Sequence, residues 1–293
     1  MNIKQWKAKG RYFTFENHQI YYSVQGEGPV LLLLHGFPTS SYDWHKIHDE
    51  LSKQFQVLTF DMLGYGFSDK PLKNNYSIFQ QSDITEALLK QLTISSCEIL
   101  AHDKGDTVAN ELIARQNKGQ LSFQINSVCL LNGGLFPGIH KPRTVQWALM
   151  TPIGKYIAKL YNFRMFRNTF DKIFGPNTKA SQQELEDLWY LINLKEGMRI
   201  FHLLIRYMQD RIDNEGRWLK ALKETKIPHR LINGAFDPIS GKHMADHYNK
   251  VIPNPDVILI ENIGHYPQLE APEEVLKHFF EFQAKVNLLP GKE

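Results

Sequence analysis

Apolar residues along this chain follow two periods, and the switch between them marks out the elements. Two short alternating runs open it, Arg11 to Glu16 and Gln19 to Val24, and the Asn17-His18 break between them predicts a β-hairpin. Compact apolar runs of strand length follow at Val30–Leu34, Gln56–Phe60, Cys97–Leu100 and Ile125–Leu131, and again at His229–Asn233 and Val257–Ile260. Between them the spacing lengthens to that of helices: Ser41 to Leu51, Ile78 to Leu92, Thr107 to Arg115, His243 to Val251 and Pro272 to Val286. In the second of these, Ile84, Leu88 and Leu92 fall on one side. An antiparallel opening followed by strand–helix alternation predicts an α/β fold: a mostly parallel, eight-stranded sheet with helices on both faces.

From about residue 137 to residue 226 the alternation stops. Aromatics crowd a purely helical pattern there, among them Trp147, Tyr156, Tyr161, Phe170, Trp189, Tyr190, Tyr207 and Trp218. Because strands resume afterwards, this stretch is expected to be a helical lid over the sheet's C-terminal edge. The core then comprises residues 1–136 and 227–293.

Composition narrows the classes of function more than it alters this picture. A net charge of +3, with Lys and Arg scattered among acids, gives no basic stripe to track nucleic-acid phosphates. Cys97 and Cys129 sit singly in apolar stretches, which suits buried reduced thiols and a cytoplasmic location. No apolar run approaches the roughly 18 residues of a membrane span, and no signal-length apolar core follows Met1.

Candidate chemistry gathers at strand ends. Ala101-His102-Asp103-Lys104-Gly105 lies between a strand and a helix in a small-x-nucleophile-x-small pattern, the nucleophile elbow. Small flanks are needed there because the strand and helix backbones nearly touch. No GxSxG occurs in the chain; the central residue is Asp103. His35-Gly36-Phe37-Pro38 follows the third strand, where the backbone N–H of Phe37 would join that of Lys104 in an oxyanion hole. Asp237 follows the seventh strand and His265 the eighth, so the order nucleophile, acid, histidine is that of an α/β-hydrolase fold. A carboxylate nucleophile displaces a leaving group at a saturated carbon to form an ester, which a water activated by His265 then hydrolyses. Attack at an acyl ester would give an anhydride, so a strained or activated electrophile is expected. No metal or other cofactor is called for.

These segments resemble those of epoxide hydrolases and haloalkane dehalogenases. A longer similarity runs through HGFPTSSYDW (His35 to Trp44), GFSDKP (Gly66 to Pro71), YSIF (Tyr76 to Phe79), Asn132-Gly133-Gly134 and HYPQLE (His265 to Glu270). On these motifs the chain is similar to the mesoderm-specific transcript proteins and their bacterial relatives, an epoxide-hydrolase-like branch. Vertebrate members carry an N-terminal hydrophobic segment with no counterpart here, so the resemblance implies no membrane attachment. It does imply lid tyrosines that donate to the departing alkoxide: Tyr207 by its place late in the lid, with either Tyr161 or Tyr190 as partner. His35 and Trp147 are further candidate substrate contacts. Dehalogenases instead grip halide with a Trp after the nucleophile and often an Asn in the HGxP loop, places held here by Lys104 and Phe37. Only the backbone N–H of Lys104 is expected to matter, its side chain facing partly to solvent. The expectation is therefore a monomeric or homodimeric hydrolase of a small hydrophobic molecule, most simply an epoxide. Dehalogenation of haloalkanes or haloacids is the second reading, and a non-catalytic binding protein on a hydrolase scaffold the third.

Overall fold

The hairpin is formed by β1 (Arg11–Phe15) and β2 (His18–Gln25), and the sheet is completed by β3 (Val30–Leu34), β4 (Gln56–Phe60), β5 (Ser96–His102), β6 (Gln124–Leu131), β7 (His229–Gly234) and β8 (Val257–Ile260). This is a computed structural model that describes residues 1–287; residues 288–293, where the expected third segment ends, lie outside the described residues. The eight strands are ordered β1-β2-β4-β3-β5-β6-β7-β8. β2 pairs antiparallel with both β1 and β4, and every other neighbouring pair is parallel. The fold is the mostly parallel α/β arrangement expected from the strand–helix alternation.

Leu31 to Leu34 on β3 are wholly buried, so this strand is covered on both faces, and a continuous leucine run replaces the polar–apolar alternation of a half-exposed strand. Burying each such side chain contributes roughly 1.5–3 kcal/mol. The strand order reverses around β3, which has β4 on one side and β5 on the other. Loops leaving β3 and β5 therefore part at their C-terminal ends, and a crevice opens there for chemistry.

Three elements differ from the sequence pattern. A helix over Ile3–Lys9 is too short for periodicity to reveal; an Asn2–Gln5 capping box starts it, and Trp6 anchors it by donating to Ser41 Oγ at 3.2 Å. The expected helix from Ser41 to Leu51 is two short pieces, a 3₁₀ turn over Ser41–Trp44 and a helix over His48–Leu51. Ser41 donates both its backbone N–H and its hydroxyl to Asp61 Oδ1, at 2.8 and 2.6 Å, which ties the chain to the end of β4 instead of to a helical ladder. The helix expected from Thr107 begins earlier, at Lys104, and runs to Asn117 directly from the elbow.

Between β6 and β7 the chain is helical, from Thr144–Met150 to Glu215–Glu224. Two polar anchors tie this segment to the sheet layer. Lys70 donates to the carbonyls of Leu191 and Leu194, at 2.9 and 2.6 Å, around the C-terminal end of the helix Gln182–Asn193. Glu111 accepts from Arg217 Nε at 2.7 Å and from Trp218 Nε1 at 2.9 Å, fastening the helix Glu215–Glu224 to the helix Lys104–Asn117. Among the described residues no helix is long and apolar enough to cross a membrane.

Candidate active site

Asp103 stands at the junction of β5 and the helix Lys104–Asn117 with φ of 46° and ψ of −104°, a left-handed backbone unusual for a residue with a side chain. Such a conformation costs on the order of 1–3 kcal/mol and persists only where its surroundings impose it. The imposition is visible. A Cβ on Gly105 would lie 2.2 Å from the Leu34 carbonyl oxygen, and one on Gly36 would lie 2.9 Å from both Asp103 Cβ and His102 Nδ1. Strand, loop and helix thus converge on the Asp103 carboxylate, which is buried at 4% exposure.

Asp237 and His265 form a hydrogen-bonded pair at 2.8 Å between Oδ2 and Nδ1. The carboxylate accepts, so Nδ1 carries the proton and Nε2 is free to act as a base. Asp237 also accepts from Asn132 Nδ2 at 2.9 Å, from the Ser240 hydroxyl at 2.9 Å, and from the backbone N–H groups of Ile239 and Ser240. Burial would raise its pKa, yet the His265 charge and these donors bring it down to about 2. For His265 burial pulls the other way, and the Asp237 and Asp103 carboxylates outweigh it, holding the imidazole above its ordinary value.

The loop carrying His265 is itself pinned. Its backbone N–H donates to the Ile173 carbonyl at 2.8 Å. Glu270 then takes N–H groups from Gly264 and Tyr266 on one side, and from Gly175 with the Thr178 hydroxyl on the other, at 2.6 to 3.0 Å. His102, behind the turn, donates from Nε2 to the His265 carbonyl at 2.8 Å, and burial lowers its pKa to about 4.

Around Asp103 the donors are uneven. The Phe37 N–H donates to Oδ2 at 3.0 Å, and the Tyr207 hydroxyl lies 3.4 Å from the same oxygen. The Lys104 N–H, at the first position of its helix, has no carbonyl one turn earlier to bond. The Lys104 side chain departs from the expected partly solvent-facing position. It is fully buried, donates to the Tyr65 hydroxyl at 3.2 Å and lies over the rings of Tyr65 and Tyr207; burial lowers its pKa to about 7.

Sequence reasoning missed Arg211. It is buried beside Asp103, donating from Nη2 to that residue's carbonyl at 2.8 Å and to its Oδ1 at 3.3 Å, and from Nε to Thr107 Oγ1 at 2.8 Å. The available signal was its spacing: four residues after Tyr207, it shares that residue's helix face, with the guanidinium 4.6 Å from the tyrosine ring centre. Burial would raise the Asp103 pKa, but the Arg211 charge, followed by His265 and His102, keeps it below the ordinary carboxylate range. Arg211→Met is expected to lose about 3–5 kcal/mol of stability, since it strands a buried carboxylate, and to raise the pH at which Asp103 ionises. Denaturant unfolding and the pH dependence of Asp103 modification check the two effects.

Asp103 and His265 border a cavity whose empty space, mouth included, is about 570 Å³; its walls are mainly apolar, including Phe37, Leu149, Phe170, Ile173 and Phe201. Tyr161 lines it too, its hydroxyl 3.3 Å from Thr169 Oγ1. Tyr190 and Trp147 are 51% and 50% exposed, and neither is brought to this cavity, because each occupies the outward side of its helix. His35 is also not part of the wall. Its Nδ1 donates to the Gly36 carbonyl at 2.8 Å and its Nε2 accepts from the Met62 N–H at 3.0 Å, so it braces the loop from behind. Among the described residues no three His, Cys, Asp or Glu side chains are grouped to hold a metal ion.

Fold and site together define an α/β hydrolase. Residues 29–134 match the family model described as alpha/beta hydrolase fold. The haloalkane dehalogenase DbeA from Bradyrhizobium elkani superposes with a TM-score of 0.81 at 23% identity, over 95% of this chain and 98% of that one. The epoxide hydrolase CorEH superposes with a TM-score of 0.75 at 23% identity, over 94% and 99%. Within that class the chain belongs to the mesoderm-specific transcript family: it is 41% identical over 297 residues to the Bos taurus mesoderm-specific transcript homolog protein, covering 96% of this chain and 87% of that protein.

Proposed function

We propose that this hydrolase opens a small apolar epoxide through a covalent Asp103 ester, with residues 137–226 serving as the lid that keeps water from the cavity. One observation carries the reading: an ionised, buried carboxylate sits in the cavity wall with His265, whose Nδ1 is fixed by Asp237. Asp103 Oδ1 attacks a ring carbon and the carbon–oxygen bond breaks. The alkoxide takes a proton from the Tyr161 hydroxyl, which burial holds in its protonated form and which lines the cavity. Oδ2, already on the Phe37 N–H, becomes the ester carbonyl oxygen and gathers charge when water attacks. His265 Nε2 removes the proton from that water. The acyl–oxygen bond then breaks and the departing alkoxide takes the proton held by His265, so the diol leaves with an oxygen from Asp103. The carboxyl group keeps the oxygen of the water and returns that water's second proton to the Tyr161 phenolate, restoring the starting state.

That oxygen bookkeeping is the test. A single turnover with enzyme in excess, in heavy-oxygen water, is expected to label Asp103 and leave the diol unlabelled; direct attack by water would label the diol. Dehalogenation is supported less well. The position of the halide-gripping indole is occupied by Lys104, whose ammonium is turned to Tyr65 instead of the cavity wall.

The pH profile follows from the sign of the His265 shift. The base must be neutral, and its pKa lies above the ordinary imidazole value, so activity should fall as the pH drops through a point above about 6.5. Asp237→Asn removes the carboxylate that raises this pKa, and should move that acidic limb to lower pH while reducing the rate. Initial rates of diol formation across pH measure both.

A further inference from the structure

The outer side of the helical segment carries surface that the fold itself does not use. Trp147, Ile153, Tyr156 and Leu160 are 50%, 59%, 56% and 72% exposed, and they fall on the neighbouring helices Thr144–Met150 and Gly154–Leu160 and the turn between them. Isolated exposed apolar residues are ordinary; a cluster of large ones on adjacent helices marks an interaction surface. Positive charge is concentrated in the same stretch of sequence, although Arg143 lines the cavity and Arg164, Arg167 and Lys172 belong to the following helix Phe163–Ile173. Of the chain's 34 Lys and Arg, seven fall in residues 141–172, which hold a single one of its 31 acids, Asp171. The rest of the chain therefore has more acids than bases. Among the described residues, the only ion pair within this stretch joins Arg167 to Asp171, at 4.0 Å. Lys155 and Lys159 lie one turn apart beside Tyr156 and Leu160, and the Lys155 ammonium is 4.9 Å from the Tyr156 ring centre.

This combination selects the partner. Trp and Tyr beside Lys suit the boundary between lipid headgroups and acyl chains, where amphipathic rings sit and long cationic stems reach phosphate. A basic face on an otherwise slightly acidic body is drawn to an anionic surface in one orientation. The inner sides of the same stretch supply Gln146, Leu149, Tyr161 and Phe170 to the cavity wall, so outer face and cavity wall are two sides of one helical layer. We propose that this layer docks on an anionic lipid bilayer, with Trp147, Ile153, Tyr156 and Leu160 in the headgroup–acyl boundary, and admits apolar substrate from the membrane into the cavity. The docking surface holds whichever bond Asp103 breaks.

Flotation of the full chain with phospholipid vesicles tests this. Vesicles of phosphatidylcholine with about one-third phosphatidylserine should carry the protein. Pure phosphatidylcholine, or about 1 M salt, where the screening length is about 3 Å, should reduce the bound fraction more than about tenfold. Two double variants, Ile153→Ser with Leu160→Ser and Lys155→Glu with Lys159→Glu, should each lose binding to a similar degree. Their Tm should stay at that of the parent, because the replaced side chains are exposed. Absence of flotation with anionic vesicles, equal flotation on neutral ones, or binding untouched by both variants overturns the proposal. So does a dimer in light scattering that both variants dissolve, since the face would then join two copies of the chain.

Discussion

Asp103→Asn is expected to lower epoxide turnover by about four orders of magnitude while leaving the fold intact. The amide keeps the shape of the carboxylate and can still accept from the Phe37 N–H, now 3.0 Å from Oδ2, so the oxyanion-hole geometry should survive. What disappears is the anionic nucleophile. The Arg211 donor 3.3 Å from Oδ1 then faces a neutral amide in a buried site, so a modest loss of Tm is also expected. Initial rates of diol formation, with circular dichroism as the control for folding, measure the effect. Full activity in this variant would remove Asp103 from the mechanism.

His265→Gln should separate the two chemical steps. Ester formation needs Asp103 and a proton donor for the alkoxide, neither of which is His265; hydrolysis of the ester needs the base. The variant should therefore react once and stop, gaining the mass of one substrate molecule, while steady-state turnover falls by roughly three to four orders of magnitude. Intact-protein mass spectrometry after mixing with an epoxide that the parent chain consumes gives the answer. No adduct at any time, with turnover equally lost, would mean that the histidine acts before or during ring opening, and the two-step scheme would fail.

Much of the frame was legible because its causes are local. Strands covered on both faces must be apolar throughout, as Leu31 to Leu34 are. The elbow must have small flanks because the Leu34 carbonyl lies where a Cβ of Gly105 would be. Long-range partnerships were far less visible. Arg211 meets Asp103, 108 positions earlier in the chain, and an arginine in a polar helical stretch looks like any solvated residue until that partner is known. The buried Lys104 misled for the same reason, since its rings come from Tyr65 and Tyr207. Among the aromatics of the helical segment, composition offers nothing to separate Tyr161, which lines the cavity, from Tyr190, which faces outward; only the packing of the helices distinguishes them.

Glu270 ties together two elements with different tasks. Through Gly175 and Thr178 it grips the end of a cavity-lining helix, and through Gly264 and Tyr266 it grips the turn that presents His265. Ile173 belongs to both systems, bordering the cavity and receiving the His265 N–H. Aperture and base are therefore geared together. On the proposed mechanism, a guest bulky enough to push the helix Phe163–Ile173 outward would draw His265 away from the attacking water, and the limit on substrate size would then show in release of the Asp103 ester instead of in its formation.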